Sequence, residues 1–132
     1  MTDSSSVLLR ELATAMDGTL VLPSDAEWGE ASRAWNLAFV QRPAAVATPA
    51  HIEDLQLVLA AARAAGLGVT VQPGGHGPHG GELQDCILIR PWAFNELSID
   101  TERGIARVGA GVQWGRVLDA LDGTEFVGLA GS

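Results

Sequence analysis

The sequence is poor in several residue types, and each shortage excludes a class of function. It has no tyrosine, so no phenolic hydroxyl can donate or accept a proton in a reaction. Its single cysteine, Cys86, cannot form an internal disulfide, and the apolar run Cys86–Ile89 predicts a small buried side chain there. Eight basic residues stand against 16 acidic ones, for a formal net charge of −8, so neither nucleic acid nor an anionic membrane is an expected partner.

Long apolar runs are also missing. No stretch is long enough to cross a bilayer, and the N-terminal segment MTDSSSVLLRELATAM lacks the basic start, apolar centre and cleavage site of a signal peptide. We therefore expect a cytoplasmic protein. Its 132 residues, 47% of them hydrophobic, suffice for one ordinary domain or for part of one.

The first half of the chain alternates helical and strand patterns. Apolar spacing predicts a helix over about Ser6–Met16, and Ala44–Ala47 has the composition of a buried strand. Thr48 and Pro49 then have the order of an N-cap and a first-turn proline, and the helix that follows leads to a second buried strand at Gly68–Val71. These elements predict a parallel β-α-β unit.

Between the first helix and this unit, two tryptophans lie close together in the sequence. Ser24 and Glu27 have the spacing of a capping box, which predicts a helix carrying Trp28 and Trp35. Indole rings this close are more often packing residues than a binding surface. We therefore assign them no catalytic role.

The second half of the chain predicts strands followed by a helix. Cys86–Ile89 is a third strand, and Leu97–Asp100 and Ile105–Val108 are separated by a turn-forming segment that favours an antiparallel hairpin. Helical spacing then predicts a helix over Val112–Leu121 with its apolar residues Val117, Leu118 and Leu121 facing inward.

A glycine loop, Gln72–Gly81, follows directly on the strand Gly68–Val71. Its glycines allow successive N–H groups to turn toward one concavity and to bind a phosphate, although a flexible connection is the alternative. The segment GHGPHG formally matches the dinucleotide pattern of a Rossmann fold. That interpretation fails because the loop leads into another strand, whereas a Rossmann loop opens a helix.

A metal site is the other interpretation of this cluster. His76, His79 and Cys86 are possible zinc ligands, but no fourth ligand has a recognisable spacing, so we predict no metal. Ser132 has no paired base in view and is not a candidate nucleophile. We assign no catalytic residue within this chain.

The combination of these segments resembles a known family. The order β-α-β, QPGGHGPHG, a strand, a hairpin, VGAGVQWGRVLDAL and GLAGS is similar to the N-terminal part of the FAD-linked oxidases of the vanillyl-alcohol oxidase superfamily, in particular its berberine-bridge-enzyme-like and 6-hydroxynicotine-oxidase-like members. The resemblance covers nearly the whole chain, since WN at Trp35 and VATP at Val46–Pro49 also fit. It implies an α+β, PCMH-type FAD-binding fold.

The same resemblance implies a domain organisation. A small parallel β-α-β subdomain would occupy about residues 1–90, and residues from about 91 to 132 would begin a mixed or antiparallel subdomain. The substrate domain would be absent from this sequence. The ending EFVGLAGS has neither a polar tail nor a cap, so we expect the N-terminal portion of an enzyme rather than a complete one.

The resemblance also implies which residues hold the cofactor. In this family the glycine loop cradles the FAD pyrophosphate, and a loop histidine commonly carries the flavin through an 8α-methyl bond. His76 has that position, and a neutral imidazole nitrogen suits the chemistry; a loop histidine bonded to backbone is the alternative. The other implied cofactor contacts are Gln72, Pro73, Gly74, Gly75, Gly77, His79, Gly80, Gly131 and Ser132. For His79 a solvated loop position is an equal alternative.

One departure from the family changes the expected chemistry of the loop. Gln72 and Pro73 stand where many members have an arginine and a serine. The loop therefore has a lower charge, and its phosphate contacts must come mainly from backbone N–H groups. Pro73 donates none.

The implied function is that of an FAD-dependent oxidoreductase. Such an enzyme passes a substrate hydride to flavin N5 and is reoxidised by dioxygen or another acceptor. The expected partners are FAD, a small-molecule substrate and the remainder of the enzyme chain. The alternative is a non-catalytic nucleotide-binding fragment or module, and the sequence leaves open whether this chain alone is an enzyme.

Overall fold

The computed structural model describes residues 3–75, 77 and 83–129. The elements are α1 (Asp3–Ala15), β1 (Thr19–Val21), α2 (Trp28–Ala31), β2 (Ala45–Thr48), α3 (Ile52–Ala65), β3 (Gly68–Val71), β4 (Cys86–Ile89), β5 (Leu97–Asp100), β6 (Ile105–Val108) and α4 (Trp114–Leu121). The chain divides into two compact units, Met1–Ala93 and Phe94–Ser132. In the part of the chain that is described, no helix is both long and apolar enough to span a membrane.

The first unit contains a four-stranded sheet in the order β1-β2-β4-β3. β1 runs antiparallel to β2, while β4 runs parallel to both β2 and β3. The predicted β-α-β unit is therefore present with parallel strands, but β4 lies between β2 and β3. Both connections, β2 to β3 and β3 to β4, return the chain to the same end of the sheet, as parallel pairing requires.

The core of this unit lies between one face of the sheet and two helices. Alternate residues of a strand face the same side, so Ala45 and Ala47 of β2 and Ile87 and Ile89 of β4 form one apolar surface. The helices cover that surface with residues three or four positions apart, which fall on one helical face. These helical residues are Leu9 and Leu12 of α1, with Val58 and Ala62 of α3.

The strand before the glycine loop is less buried than its sequence predicts. β3 has the predicted bounds, but it is an edge strand, and Val69 and Val71 are exposed within the described structure. The β-branched pattern therefore identified the strand correctly and its burial wrongly, because burial depends on the position of the strand in the sheet.

The helix α3 begins later than the sequence predicts. Its N-cap is His51, whose side chain accepts a hydrogen bond from the Asp54 N–H, so Thr48 is not the cap. Gly66 ends the helix in the left-handed conformation, at φ 68°, as a C-terminal glycine commonly does.

The predicted helix of the two tryptophans is mostly absent. α2 spans four residues, and its N-cap, Glu27, makes no side-chain cap hydrogen bond. Asp25, and not Ser24, organises the preceding turn, since its carboxylate accepts from the Leu22 N–H at 2.7 Å. Trp35 lies beyond the helix and is 71% exposed, so it is not a core residue of the described structure.

The second unit is a hairpin with one helix. β5 pairs antiparallel with β6, and Gly104 has a φ of 64° in the connection, which confirms the predicted hairpin. α4 begins at Trp114 rather than Val112 and buries Val117. Leu118 is 45% exposed, so the prediction that it faces inward is wrong for this unit.

Candidate functional site

The glycine loop starts where three strand ends meet. The Gln72 N–H donates to the Ile89 carbonyl at 3.0 Å, which extends the pairing of β3 with β4. The Arg90 N–H donates to the Ala47 carbonyl at 2.8 Å, which extends the pairing of β4 with β2. Gln72 and Arg90 therefore lie side by side at the carboxyl ends of the parallel strands, the edge at which open α/β sheets bind ligands.

Three successive carbonyl groups of the loop each accept a hydrogen bond from outside it. The bonds are Trp92 Nε1–H to Pro73 O at 2.6 Å, Trp35 N–H to Gly74 O at 3.0 Å, and Asn36 N–H to Gly75 O at 3.4 Å. In a trans peptide the C=O and the following N–H point in opposite directions. The N–H groups of Gly74 and Gly75 consequently point away from these donors.

These two N–H groups are suited to an anion. Among residues 3–75, 77 and 83–129, neither the Gly74 nor the Gly75 N–H has a hydrogen-bond acceptor. Adjacent backbone N–H groups directed to one side form the kind of concavity that binds phosphate oxygens. Gly74 is exposed and Gly75 is buried.

Gly75 is a position that favours glycine. Its φ of 78° lies in the left-handed region, which a side chain strains. An added Cβ would also lie 3.0 Å from Gln72 Oε1 and 3.1 Å from Ala34 Cα. Both the conformation and the close contacts with Gln72 and Ala34 therefore disfavour a residue with a Cβ.

A buried arginine supports the start of the loop from behind. Arg90 is 2% exposed, and its Nη1 donates to the Gln72 carbonyl at 3.1 Å and to Gln72 Oε1 at 2.8 Å. Its Nη2 donates to the carbonyls of Ala31 at 3.2 Å and Arg33 at 2.7 Å. Burial lowers the pKa of this guanidinium, but arginine stays charged in proteins. The positive charge of Arg90 therefore lies next to the start of a loop that has no Lys or Arg of its own. Sequence reasoning missed this residue.

Trp92 is the second residue that sequence reasoning missed. Besides its bond to Pro73, its ring lies 5.7 Å from the Arg90 guanidinium carbon, within the range of a cation–π contact. The available signal was the segment IRPW: an arginine placed directly after the apolar strand β4 has to find acceptors nearby.

Only part of the predicted site lies in the described structure. Gln72, Pro73, Gly74, Gly75 and Gly77 lie in the described structure, and Gly77 is exposed. The remaining predicted contacts fall outside the described residues: His76, His79, Gly80, Gly131 and Ser132. Within the described residues no three His, Cys, Asp or Glu side chains are grouped to hold a metal, and Cys86 is a half-buried free thiol in β4.

A second polar cluster joins α1, β1 and α3. The buried carboxylate of Asp54 accepts from the N–H groups of Asp17, Gly18 and Ala50 at 2.8–3.0 Å. Burial raises the pKa of Asp54, but the hydrogen bonds from these three N–H groups and the charge of His51 outweigh it, and the net pKa is lowered. These partners are all protein groups of the first unit, so the cluster stabilises the fold and is not a ligand site.

His51 belongs to this cluster and is more than the surface residue that its sequence position indicates. Its Nε2 lies 2.9 Å from Asp17 Oδ2, and its Nδ1 accepts from the Asp54 N–H at 3.4 Å. The hydrogen bond with Asp17 raises the pKa of His51; burial opposes this, and the charges of Asp54 and Glu53 add to it.

Comparison with known proteins gives the chain a family context. The family described as "FAD binding domain" matches residues 43–129. The FAD-dependent monooxygenase FUP4 of Fusarium proliferatum is 31% identical over 97 residues, 68% of this chain and 18% of that protein. The (R)-6-hydroxynicotine oxidase of Paenarthrobacter nicotinovorans is 30% identical over 105 residues, 77% of this chain and 23% of that protein. The chain thus spans about a fifth of the length of these relatives.

Solved structures agree with this fold. The 6-hydroxy-D-nicotine oxidase of Arthrobacter nicotinovorans superposes with a TM-score of 0.68 at 27% identity, covering 80% of this chain and 23% of that one. The glucooligosaccharide oxidase of Acremonium strictum, whose flavin is described as 6-S-cysteinyl, 8α-N1-histidyl FAD, superposes with a TM-score of 0.69 at 24% identity, covering 91% and 25%.

Proposed function

Because this chain belongs to the FAD binding domain family, we propose that it is the N-terminal, flavin-holding part of an FAD-dependent oxidoreductase. The resemblance predicted from the sequence, the PCMH-type α+β fold and FAD as the cofactor are confirmed by the family match and by the structural neighbours. When bound, FAD supplies a hydride acceptor at N5 and is reoxidised by dioxygen or another acceptor.

The observation that carries this proposal is the directed pair of N–H groups at Gly74 and Gly75. The carbonyl of each of these two peptide groups accepts a hydrogen bond from outside the loop, so each N–H points away from that donor, and the φ of 78° at Gly75 strains any side chain there. Arg90 adds a positive charge behind the same loop. These features fit the pyrophosphate of FAD, which needs close backbone approach and has negative charge.

The proposed cofactor site extends the described loop residues to those that the family resemblance implies. Gln72, Pro73, Gly74, Gly75 and Gly77 form its described part, and His76, His79, Gly80, Gly131 and Ser132 complete it. His76 is the proposed attachment residue, because its neutral imidazole nitrogen is the nucleophile that a bond to the 8α-methyl group requires. The histidyl flavin named for the Acremonium strictum oxidase supports this assignment.

The proposal also covers the subdomains of the protein, its cellular compartment and its type of substrate. Residues 1–90 form the first subdomain, residues from about 91 onward begin the second, and a substrate domain is supplied by further chain. The division into units at Ala93 supports this boundary. The protein acts in the cytoplasm on a small-molecule substrate.

The experiment is an acid denaturation of the purified product of the complete gene, followed by inspection of the pellet for flavin absorbance. We expect a yellow pellet for the unmodified protein and for His79→Ala, and a colourless pellet for His76→Ala. A yellow protein that yields a colourless pellet would refute the covalent bond and leave FAD binding intact. A product that neither contains flavin nor binds added FAD would refute the proposed function.

A further inference from the structure

We propose that Trp92 and Arg90 are positioning residues of the flavin loop, which fix the direction of the Gly74 and Gly75 N–H groups. This inference rests on the proposed function of that loop. Neither side chain needs to touch the cofactor: both act on carbonyl groups of the loop or of the segment that supports it.

Trp92 controls the first of the two peptide groups. Its Nε1–H donates to the Pro73 carbonyl at 2.6 Å, and among the described residues no other donor reaches this oxygen. The Pro73 carbonyl and the Gly74 N–H belong to one planar peptide, so holding the oxygen toward Trp92 directs the N–H away from it. Since glycine restrains its own backbone weakly, the tryptophan supplies an orientation that the loop sequence does not.

Arg90 controls the second peptide group through the segment Ala31–Asn36. Its guanidinium binds the Gln72 carbonyl on the loop side and the Ala31 and Arg33 carbonyls on the other side. The same segment then donates its Trp35 and Asn36 N–H groups to the loop carbonyls that follow. The Arg90 side chain thus holds the loop and the segment that donates to it in fixed positions relative to each other.

Arg90 is poorly placed to bind the phosphate itself. Both of its terminal nitrogens donate two hydrogen bonds each to protein oxygens, at 2.7–3.2 Å. The Nε is buried, and it has no acceptor among the described residues. The four bonds depend on the planar, forked shape of the guanidinium, which lysine lacks. A positioning role therefore requires the shape of arginine, whereas a purely electrostatic role requires only its charge.

The test for Trp92 measures reversible FAD binding by calorimetry in the complete gene product carrying His76→Ala. Trp92→Phe keeps an aromatic ring near Arg90 and removes the Nε1–H donor together with the five-membered ring that carries it. We expect the dissociation constant to rise about five- to tenfold, the effect of one lost hydrogen bond. Because Trp92 is half-exposed, we expect little change in the melting temperature of the apoprotein. Trp114→Phe, in the second unit, is the matched control and leaves the affinity unchanged.

The test for Arg90 separates shape from charge. Arg90→Lys keeps the charge and loses the fork, and we expect it to weaken FAD binding at least about tenfold, as loss of several hydrogen bonds requires. Arg63→Lys, on the exposed face of α3, is the control and leaves binding unchanged.

The outcomes are distinct from those that test the proposed function. Equal FAD affinity for Trp92→Phe and Trp114→Phe would overturn the role of Trp92, and full affinity in Arg90→Lys would overturn that of Arg90. A fall in affinity that only parallels a fall in melting temperature would also contradict positioning. Failure of the unsubstituted protein to bind FAD would instead refute the proposed function.

Discussion

Replacement of Asp54 by alanine tests how the first unit is held together. The carboxylate is 1% exposed and accepts three backbone N–H bonds, two from the connection between α1 and β1 and one from the turn before α3. A hydrogen bond to a charged group contributes about 1.5–3 kcal/mol, and water replaces part of that at partly buried donors. We therefore expect Asp54→Ala to lower the free energy of unfolding by about 3–5 kcal/mol.

Urea unfolding, followed by far-UV circular dichroism, measures this loss. Glu53→Ala, which removes an exposed carboxylate from the preceding position, is the matched control and should cost about 0.5 kcal/mol. Since the folded pKa of Asp54 is lowered, its contribution is present above the unfolded pKa and is lost as the pH falls through the folded value. A cost below about 1 kcal/mol for Asp54→Ala would refute the argument that these three bonds stabilise the unit.

Two further predictions concern His51 and a tight glycine. The folded pKa of His51 is raised, so its bond to Asp17 stabilises the fold below the unfolded pKa of 6.5, and this stabilisation is lost as the pH rises through the folded value. His51→Asn keeps a side chain that can cap α3 but does not titrate, so the urea midpoint of this variant should change less with pH in that range. At Gly109, an added Cβ would overlap the Phe94 carbonyl, so Gly109→Ala should cost about 2 kcal/mol or more by urea unfolding. Gly115 lies in α4 with nothing within 4 Å of an added Cβ, so Gly115→Ala should instead stabilise by up to about 1 kcal/mol. Equal stability of the two glycine variants would contradict the close approach.

The elements with strong local signals were predictable from the sequence. The apolar spacing before Gly66 and the segment between Leu97–Asp100 and Ile105–Val108 each specify their structure within a short window. The helix predicted from Ser24 failed because Asp25 forms a competing turn with the Leu22 N–H. The insertion of β4 between β2 and β3 was not predictable, since strand order depends on pairing between distant segments.

The candidate site also has a part that the sequence predicts and a part that it does not. The glycine loop is visible in the sequence because its residues are contiguous and follow a strand. The arginine after β4 is visible as well, but its acceptors at Ala31, Arg33 and Gln72 are not, because they lie 59, 57 and 18 positions away. A buried guanidinium must find such acceptors, but only the fold determines which ones.

The most direct test of the account is the affinity for FAD of Gly75→Ala against Gly29→Ala, measured by calorimetry in the complete gene product carrying His76→Ala. An added Cβ meets Gln72 and Ala34 at position 75 and nothing within 4 Å at position 29. If the loop binds the pyrophosphate through its backbone, Gly75→Ala lowers the affinity at least about tenfold, the scale of the strain at a positive φ, and Gly29→Ala leaves it unchanged. Equal affinity in both variants would contradict the claim that this loop holds the flavin.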